Sequence, residues 1–258
     1  MASTITAAII SLNEEANIRE CLTCLSWADE LLVIDAYSND ATVALAREAG
    51  ARVILHGFDS YASQRNYAIE HAQSDWVLFV DADERVEPAL AQEIRQNISS
   101  APDQPVGYWV SRRNFILGRW VRHGGWWPDY QMRLFLRGQA RYSERVDPHE
   151  VVDVTGPTGY LSNTLLHFNY TSLGQLVAKQ RLYAQREAGT LARQGVRALP
   201  HRYVTQPVRE FYRRYVQLAG YKDGPLGMLL ALVMGWYRYM VYVNLHKLRQ
   251  IDPFRQQG

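Results

Sequence analysis

Apolar residues in the first hundred positions fall into short continuous runs, separated by stretches in which they recur every three or four residues. The runs are Thr4–Ser11 (TITAAIIS), Leu31–Asp35 (LLVID), Arg52–Leu55 and Trp76–Val80 (WVLFV), and each predicts a strand buried on both faces. Glu14–Trp27, Thr42–Glu48, Ser60–Gln73 and Pro88–Ile98 carry helical spacing. Asn39 is placed to cap the second helix, and Gly50 to close it. Strands alternating with helices predict an α/β fold whose central sheet is mostly parallel and covered on both sides. Right-handed crossovers then set the strand C-termini along one edge, where such sheets bind ligands.

The pattern changes twice further on. Pro102-Asp103-Gln104-Pro105 marks a linker, Val106–Arg113 reads as a strand, and Gly118–Asp129 (GRWVRHGGWWPD) is a loop rich in Gly and Trp. Exposed Trp rings in such a loop suit stacking on sugar faces, and packing into a core is the alternative use of the same rings. From about Thr171 the chain is helical and basic. Pro207–Ala219 has an apolar stripe with arginines beside it, and Gly224–Tyr237 is uncharged for 14 residues before Arg238. A membrane-crossing helix needs roughly 20 apolar residues, so this region reads as an interfacial membrane contact or a buried helical hairpin. The expected organisation is residues 1–100, 101–170 and 171–258.

Charge sharpens the reading of the last region. Residues 1–170 hold 14 Lys+Arg against 22 Asp+Glu, and residues 171–258 hold 14 against 4, so the overall +2 divides into −8 and +10. A basic, aromatic helical segment on an acidic body points to an anionic partner such as a membrane surface; no nucleic-acid-binding module is present, so nucleic acid is not expected. The two cysteines, Cys21 and Cys24, fall on helical spacing with Ile18 and Leu25 and read as core residues. No second Cys or His pair completes a zinc site and no disulfide framework exists, which fits a cytoplasmic setting. No secretory leader opens the chain.

Candidate chemistry gathers at the predicted strand ends. The first strand runs into Asn13-Glu14-Glu15, the second ends at Asp35, and the fourth ends in Asp81-Ala82-Asp83-Glu84. No G-x-G-x-x-G or G-x-x-x-x-G-K-[ST] follows any strand, which argues against a dinucleotide fold and excludes a P-loop. In an extended chain the side chains of Asp81 and Asp83 point the same way and repel one another unless a cation lies near them. A hard divalent ion, Mg²⁺ or Mn²⁺, takes carboxylate oxygens and completes its shell with phosphate oxygens and water.

With these segments in place the chain resembles the family 2 glycosyltransferases of GT-A fold, and within them the lipopolysaccharide-core β-1,4-glucosyltransferase branch. The segments that carry the resemblance are Ser11–Glu15 (SLNEE), Trp27–Glu30 (WADE) with LLVID, Gln64–Ile69 (QRNYAI), Val80–Glu84 (VDADE), His123–Phe135 (HGGWWPDYQMRLF), His149-Glu150, His167 and Gly220–Gly224 (GYKDG). They occur in order over nearly the whole chain.

The resemblance implies a Rossmann-like GT-A domain, nucleotide-sugar-binding in its first half and acceptor-side in its second, with a helical extension that binds membrane or oligomerises. It implies inverting transfer of a hexose, glucose favoured, from a UDP-sugar to a glycolipid or oligosaccharide acceptor at the inner face of the cell membrane. Leu12, Asn13 and Glu14 would line the nucleotide pocket, Asp35 would hold uracil or ribose, and Arg65 would approach base or phosphate. Asp81 would contact ribose or metal, and Asp83 would ligate the metal, with His149 and His167 as further metal or diphosphate contacts. Asp129 is the expected general base and Glu150 the alternative. Two positions depart from the family pattern: Ala36 replaces a second Asp after the second strand, and Tyr37 replaces a turn Gly. Alternative readings are transfer to a polyprenyl phosphate, which needs no base, and a catalytically silent sugar-nucleotide-binding scaffold.

Overall fold

A computed structural model describes residues 3–98, 104–143 and 152–251, with helix bounds but no side chains given for the last two. It divides into two compact units, residues 1–113 with 129–168, and residues 114–128 with 169–258.

In the first unit, strands β1 (Ile5–Ser11), β2 (Glu30–Asp35), β3 (Arg52–Leu55) and β4 (Trp76–Phe79) are the parallel half of a mixed sheet. Helices α1 (Ile18–Thr23), α2 (Thr42–Glu48), α3 (Tyr61–His71) and α4 (Pro88–Asn97) belong to the same half. β5 (Glu84–Val86), β6 (Gly107–Ile116), β8 (Tyr130–Leu136) and β11 (Thr158–Tyr170) complete the sheet in the order β3-β2-β1-β4-β8-β6-β11-β5. β8 is antiparallel to β4 and β6, and β11 is antiparallel to β5. The sheet is therefore parallel only in its first half. Short strands β9 (Ala140–Tyr142) and β10 (Val152–Val154) pair separately, and β7 (Arg119–Trp120) pairs with the end of β6 in the second unit.

The period-2 alternation of side chains explains the two apolar layers. Ile5, Ala7 and Ile9 of β1, Val33 of β2, and Trp76 and Leu78 of β4 enter one core, with Ile18, Leu22, Leu90 and Ile94 of the covering helices. Ala8, Leu32, Ile34, Val77 and Phe79 enter the opposite core, with Ala62, Ala68 and Ile69 of α3 and Phe135 of β8. Cys21 lies in the first core with Cys24 packed beside it, and both are free thiols, as the helical spacing implied.

Two local expectations are corrected. The first helix is six residues, Ile18–Thr23, rather than Glu14–Trp27. The residues before it are drawn into hydrogen bonds with the β2–α2 loop: Glu14 N–H donates to Thr42 Oγ1 at 2.7 Å, and Glu15 Oε2 accepts from Ala41 N–H at 3.1 Å. Tertiary bonds here override helical spacing. Asp40, not Asn39, serves the start of α2, its Oδ1 accepting from Thr42 N–H at 2.9 Å. Asn39 instead donates its backbone N–H to Asn13 Oδ1 at 3.0 Å.

The second unit holds α5 (Leu173–Arg193), α6 (Arg202–Tyr212) and α7 (Gly224–Ile251), with a π turn at Arg213–Gln217 and a 3-10 turn at Gly220–Asp223. Its core joins Ile116, Val121, Tyr170 and Leu176 to Leu226, Leu230 and Val233 of α7, with Trp126 packed against it. Glycines set the close approaches. A Cβ on Gly227 would lie 1.9 Å from Gly220 O, and one on Gly235 would lie 3.2 Å from Pro207 O. The uncharged run of 14 residues is part of a helix twice that length. Gly220–Arg249 is long and apolar enough to cross a membrane; an 18-residue window within it has mean hydropathy 1.4, and 44% of that window is buried within the protein.

Glu210 is the buried charge of this unit. It accepts from Arg213 Nη2 at 2.8 Å and Arg214 Nε at 2.6 Å. Burial alone would raise its carboxyl; the hydrogen bonds from Arg213 and Arg214 outweigh burial and bring it from 4.5 down to about 2. A depressed carboxyl stabilises the fold fully above pH 4.5 and loses that contribution as pH falls toward about 2, a difference of about 3 kcal/mol. Urea unfolding at pH 6 and pH 3 will show the wild-type protein losing about 2 kcal/mol more stability than Glu210→Gln, the part of that difference titrated by pH 3. Equal losses would remove Glu210 from the account.

Candidate active site

The parallel half of the sheet places its strand ends together. Ser11 and Asp35 are register partners at the ends of β1 and β2, and Asp81 follows β4. Leu12 is exposed at this edge. Asn13 adopts a left-handed backbone with φ 56°, and its N–H donates to Ser38 Oγ at 2.8 Å. Glu14 accepts from Asn17 Nδ2 at 2.9 Å, and its carbonyl receives the N–H groups of Asn17 and Ile18. Asp35 is fully buried, and its carboxylate accepts from Ser11 Oγ at 2.8 Å, Ser38 N–H at 2.7 Å and Ser38 Oγ at 2.6 Å. It thereby fixes the turn in which Tyr37 takes φ 62°. A nucleobase would meet Asp35 only through lone pairs these three donors leave.

Asp81-Ala82-Asp83 is a turn rather than an extended segment, closed by Glu84 N–H donating to Asp81 O at 2.8 Å. The expectation that the two side chains point the same way along an extended segment is corrected accordingly, and each carboxylate has its own partners. Asp81 accepts from Arg65 Nη2 at 3.1 Å and from Arg133 Nη2 at 2.5 Å and Nη1 at 3.2 Å. Arg133, only 4% exposed, also donates to the fully buried Glu84 at 2.7 Å. Arg112 lies 3.4 Å from Glu84 and reaches Asp129 through Nε at 2.9 Å and Nη2 at 2.7 Å. Gln131 Nε2 donates to the other Asp129 oxygen at 2.9 Å. Three arginines and three carboxylates thus alternate from Arg65 to Asp129, and their charges cancel.

Burial would raise the Asp81 carboxyl, but Arg133 and Arg65 beside it outweigh burial and hold it far below the ordinary range. Burial likewise opposes the charge on Arg133, and Asp81 and Glu84 hold it above its usual value. Asp81 is therefore ionised, yet its side chain is still 30% exposed. It can touch a ligand without needing a metal to neutralise it.

Asp83 stands outside this chain of charges. Its Oδ2 lies 3.5 Å from His167 Nε2, and Phe168 N–H donates to Asp83 O at 2.9 Å. β11 brings His167 there, since His167 is the register partner of Glu84 on β5. Among the described residues no group of three His, Cys, Asp or Glu surrounds a common point. One carboxylate and one imidazole suit a divalent ion that takes most of its shell from phosphate oxygens and water. His149 and Glu150 lie outside the described residues.

The segment preceding Asp129 is pinned within the second unit. Asp223 accepts from His123 N–H at 2.8 Å and Arg122 N–H at 3.2 Å, and its Oδ1 lies 3.1 Å from His123 Nδ1. Arg214 Nη1 donates to Gly124 O at 2.8 Å, and its guanidinium lies over Trp126. Trp120, Trp126 and Trp127 are half-buried rather than exposed, and Trp126 packs on the core. Core packing is thus a use that Trp126 makes of its ring.

The sequence patterns alone did not mark Arg112, Arg133 or Ser38 as site residues. Arg133 did carry a signal: it interrupts Met132, Leu134 and Phe135 in a buried strand, where a guanidinium requires acidic partners.

The pattern of the family described as Glycosyl transferase family 2 matches residues 6–161. The chain belongs to that family. It is 28% identical over 254 residues to a lipopolysaccharide core biosynthesis glycosyltransferase, LpsC, of Rhizobium meliloti (strain 1021), covering 94% of this chain and 92% of that protein. An uncharacterised glycosyltransferase of Rickettsia felis is 27% identical, covering 95% and 89%. The mannosyltransferase PcManGT from Pyrobaculum calidifontis, solved with GDP-Man and Mn²⁺, superposes with a TM-score of 0.53 at 14% identity, covering 100% of this chain and 89% of that one. This likeness shows the GT-A fold.

Replacing Arg133 with Met leaves Asp81 and Glu84 without their shared cation. Breaking one side of such a buried ion cluster costs about 3–5 kcal/mol. Denaturant unfolding will show Arg133→Met destabilised by that order; a loss below about 1 kcal/mol would mean that Arg65 and Arg112 suffice.

Proposed function

We propose that this family 2 glycosyltransferase is an inverting enzyme that moves a hexose, glucose favoured, from a UDP-sugar to a saccharide of a lipopolysaccharide core or another lipid-linked acceptor. The observation that carries the reading is the separation of two ionic sites. Asp83 with His167 forms one, and Asp129 with Arg112 the other, and the arginine–carboxylate chain neutralises everything between Asp81 and Asp129. Donor and acceptor chemistry require such a division, because an inverting transfer needs a leaving-group site and a base on opposite faces of the sugar. The likeness to the Rhizobium protein over nearly the full length of both chains supports a lipopolysaccharide-core acceptor. The basic segment 171–258 supports work at the cytoplasmic face of an anionic membrane.

Asp83 and His167 hold Mg²⁺ or Mn²⁺ in this reading, and the ion, when bound, neutralises charge growing on the departing diphosphate. Leu12, Asn13 and Glu14 line the donor edge, Asp35 keeps its turn in shape, and Arg65 and Asp81 present a paired charge to ribose or phosphate. Asp129 accepts the acceptor hydroxyl proton as that oxygen bonds to the anomeric carbon and the bond to the diphosphate breaks. Arg112 and Gln131 fix both oxygens of Asp129, so the base enters the reaction already oriented.

Asp129→Asn tests the reading, with release of UDP or GDP measured across a panel of UDP- and GDP-sugars. The expected result is a UDP-sugar preference in the wild type and a fall in kcat of about 10²–10⁴-fold in the variant, with UDP affinity unchanged. Full activity in Asp129→Asn would assign the acceptor to the polyprenyl phosphates, which bring their own anion. No turnover of any donor by the wild type would leave a binding scaffold.

A further inference from the structure

The second unit leaves one helix face uncovered. Val204, Val208, Tyr212 and Val216 follow one another at intervals of four along α6 and its π turn, and all are exposed, Val204 at 66% and Val208 at 60%. Residues four apart lie on one side of a helix, so these side chains form a continuous apolar stripe. The neighbouring side of α6 is the packed one. Pro207 and Phe211 meet Gly235 of α7, and Tyr203 packs on Tyr239 and Tyr242.

α7 widens the stripe. At about 100° per residue, Leu232 and Tyr239 fall within about 60° of Gly235. Both are exposed. In an antiparallel helical pair that meets at Gly235, this rotation turns them to the same side as the α6 stripe. The result is an apolar surface shared by two helices, with tyrosines at its margins.

The charges beside it are of one sign. Arg209 is exposed, and Arg202 and Arg213 are half-buried, all three within the turns that carry the valines. From Arg202 to Arg249 the chain has only two acids, Glu210 and Asp223. Both are turned inward, at 8% and 12% side-chain exposure, onto Arg213 and Arg214 and onto His123. A valine stripe edged by arginines, with tyrosines and no outward acid, matches the boundary between acyl chains and anionic headgroups. A soluble partner protein would offer no reason for every outward charge to be positive.

We propose that the face formed by Val204, Val208, Tyr212 and Val216 with Leu232 and Tyr239 docks in the plane of an anionic lipid bilayer, with Arg202, Arg209 and Arg213 on the headgroups. This deepens the membrane part of the function proposed above, resting on the same reading of segment 171–258. It assigns α7 to lie beside the membrane surface with its far side in the protein, rather than to cross.

Co-sedimentation of the full chain with vesicles tests it, using phosphatidylglycerol in phosphatidylethanolamine against pure phosphatidylcholine. The wild type binds the anionic vesicles, and raising salt weakens binding. Val204→Ser/Val208→Ser lowers the partition coefficient at least about tenfold, and Arg209→Glu lowers it on anionic vesicles alone. Thermal unfolding and UDP titration of both variants match the wild type, so lost partitioning is not lost folding. A Val208→Trp variant gives the direct readout, its fluorescence quenched by brominated lipid. Unchanged partitioning of the double serine variant overturns the proposal. So does a wild-type dimer that dissociates in that variant without any vesicle binding, which would make a second copy the occupant. Retention of the wild type in membranes through alkaline carbonate extraction also overturns it, since α7 would then span. Vesicle binding by a protein that turns over no sugar nucleotide would sink the enzymatic reading and leave this face standing.

Discussion

The guanidinium of Arg133 is the constraint on which the first unit depends. It is nearly sealed from solvent between Asp81 and Glu84. A lone buried charge of either sign would be severely destabilising, so the cluster exists only because β4, β5 and β8 deliver their residues to one place. Glu84 ties its own backbone to Asp81, which folds the intervening residues into a turn. Arg112 then extends the same network to Asp129. One ionic chain thereby fixes the shape of the Asp81–Asp83 turn and the orientation of Asp129.

This arrangement separates the partners of the two acids in Asp81-Ala82-Asp83. Proximity of two acids in sequence suggests a shared metal. In the folded protein arginines already balance Asp81, and the carboxylate outside their network is Asp83, with His167 arriving beside it on a strand more than eighty residues later. In the function proposed above, this pair is a small donor set, and a diphosphate would supply much of the ion's shell. Metal and nucleotide are expected to bind together rather than separately.

Much of the first half was legible from periodicity. β1 to β4, α2 and α3 fall within a residue or two of the expected bounds, the strands because buried parallel strands announce themselves as continuous apolar runs. α1 was not, since its expected first turn is held by Thr42 and Ala41, residues a local pattern does not see. The antiparallel half of the sheet escaped because β8, β5 and β11 pair over long sequence separations. Asp129 was named only through the resemblance, and its ion-pair partner Arg112 not at all, for a paired arginine and a solvated one look alike in sequence. Gly220 gives a further case. It was visible as a motif residue, but the close approach to Arg214 O that it permits appears only in the fold.

The most direct test of the account is calorimetric titration of UDP with and without Mn²⁺, in the wild type and in Asp83→Ala. The account predicts that Mn²⁺ tightens UDP binding to the wild type and that Asp83→Ala loses this gain while retaining its fold. Equal UDP affinity in both proteins at saturating Mn²⁺ would contradict it.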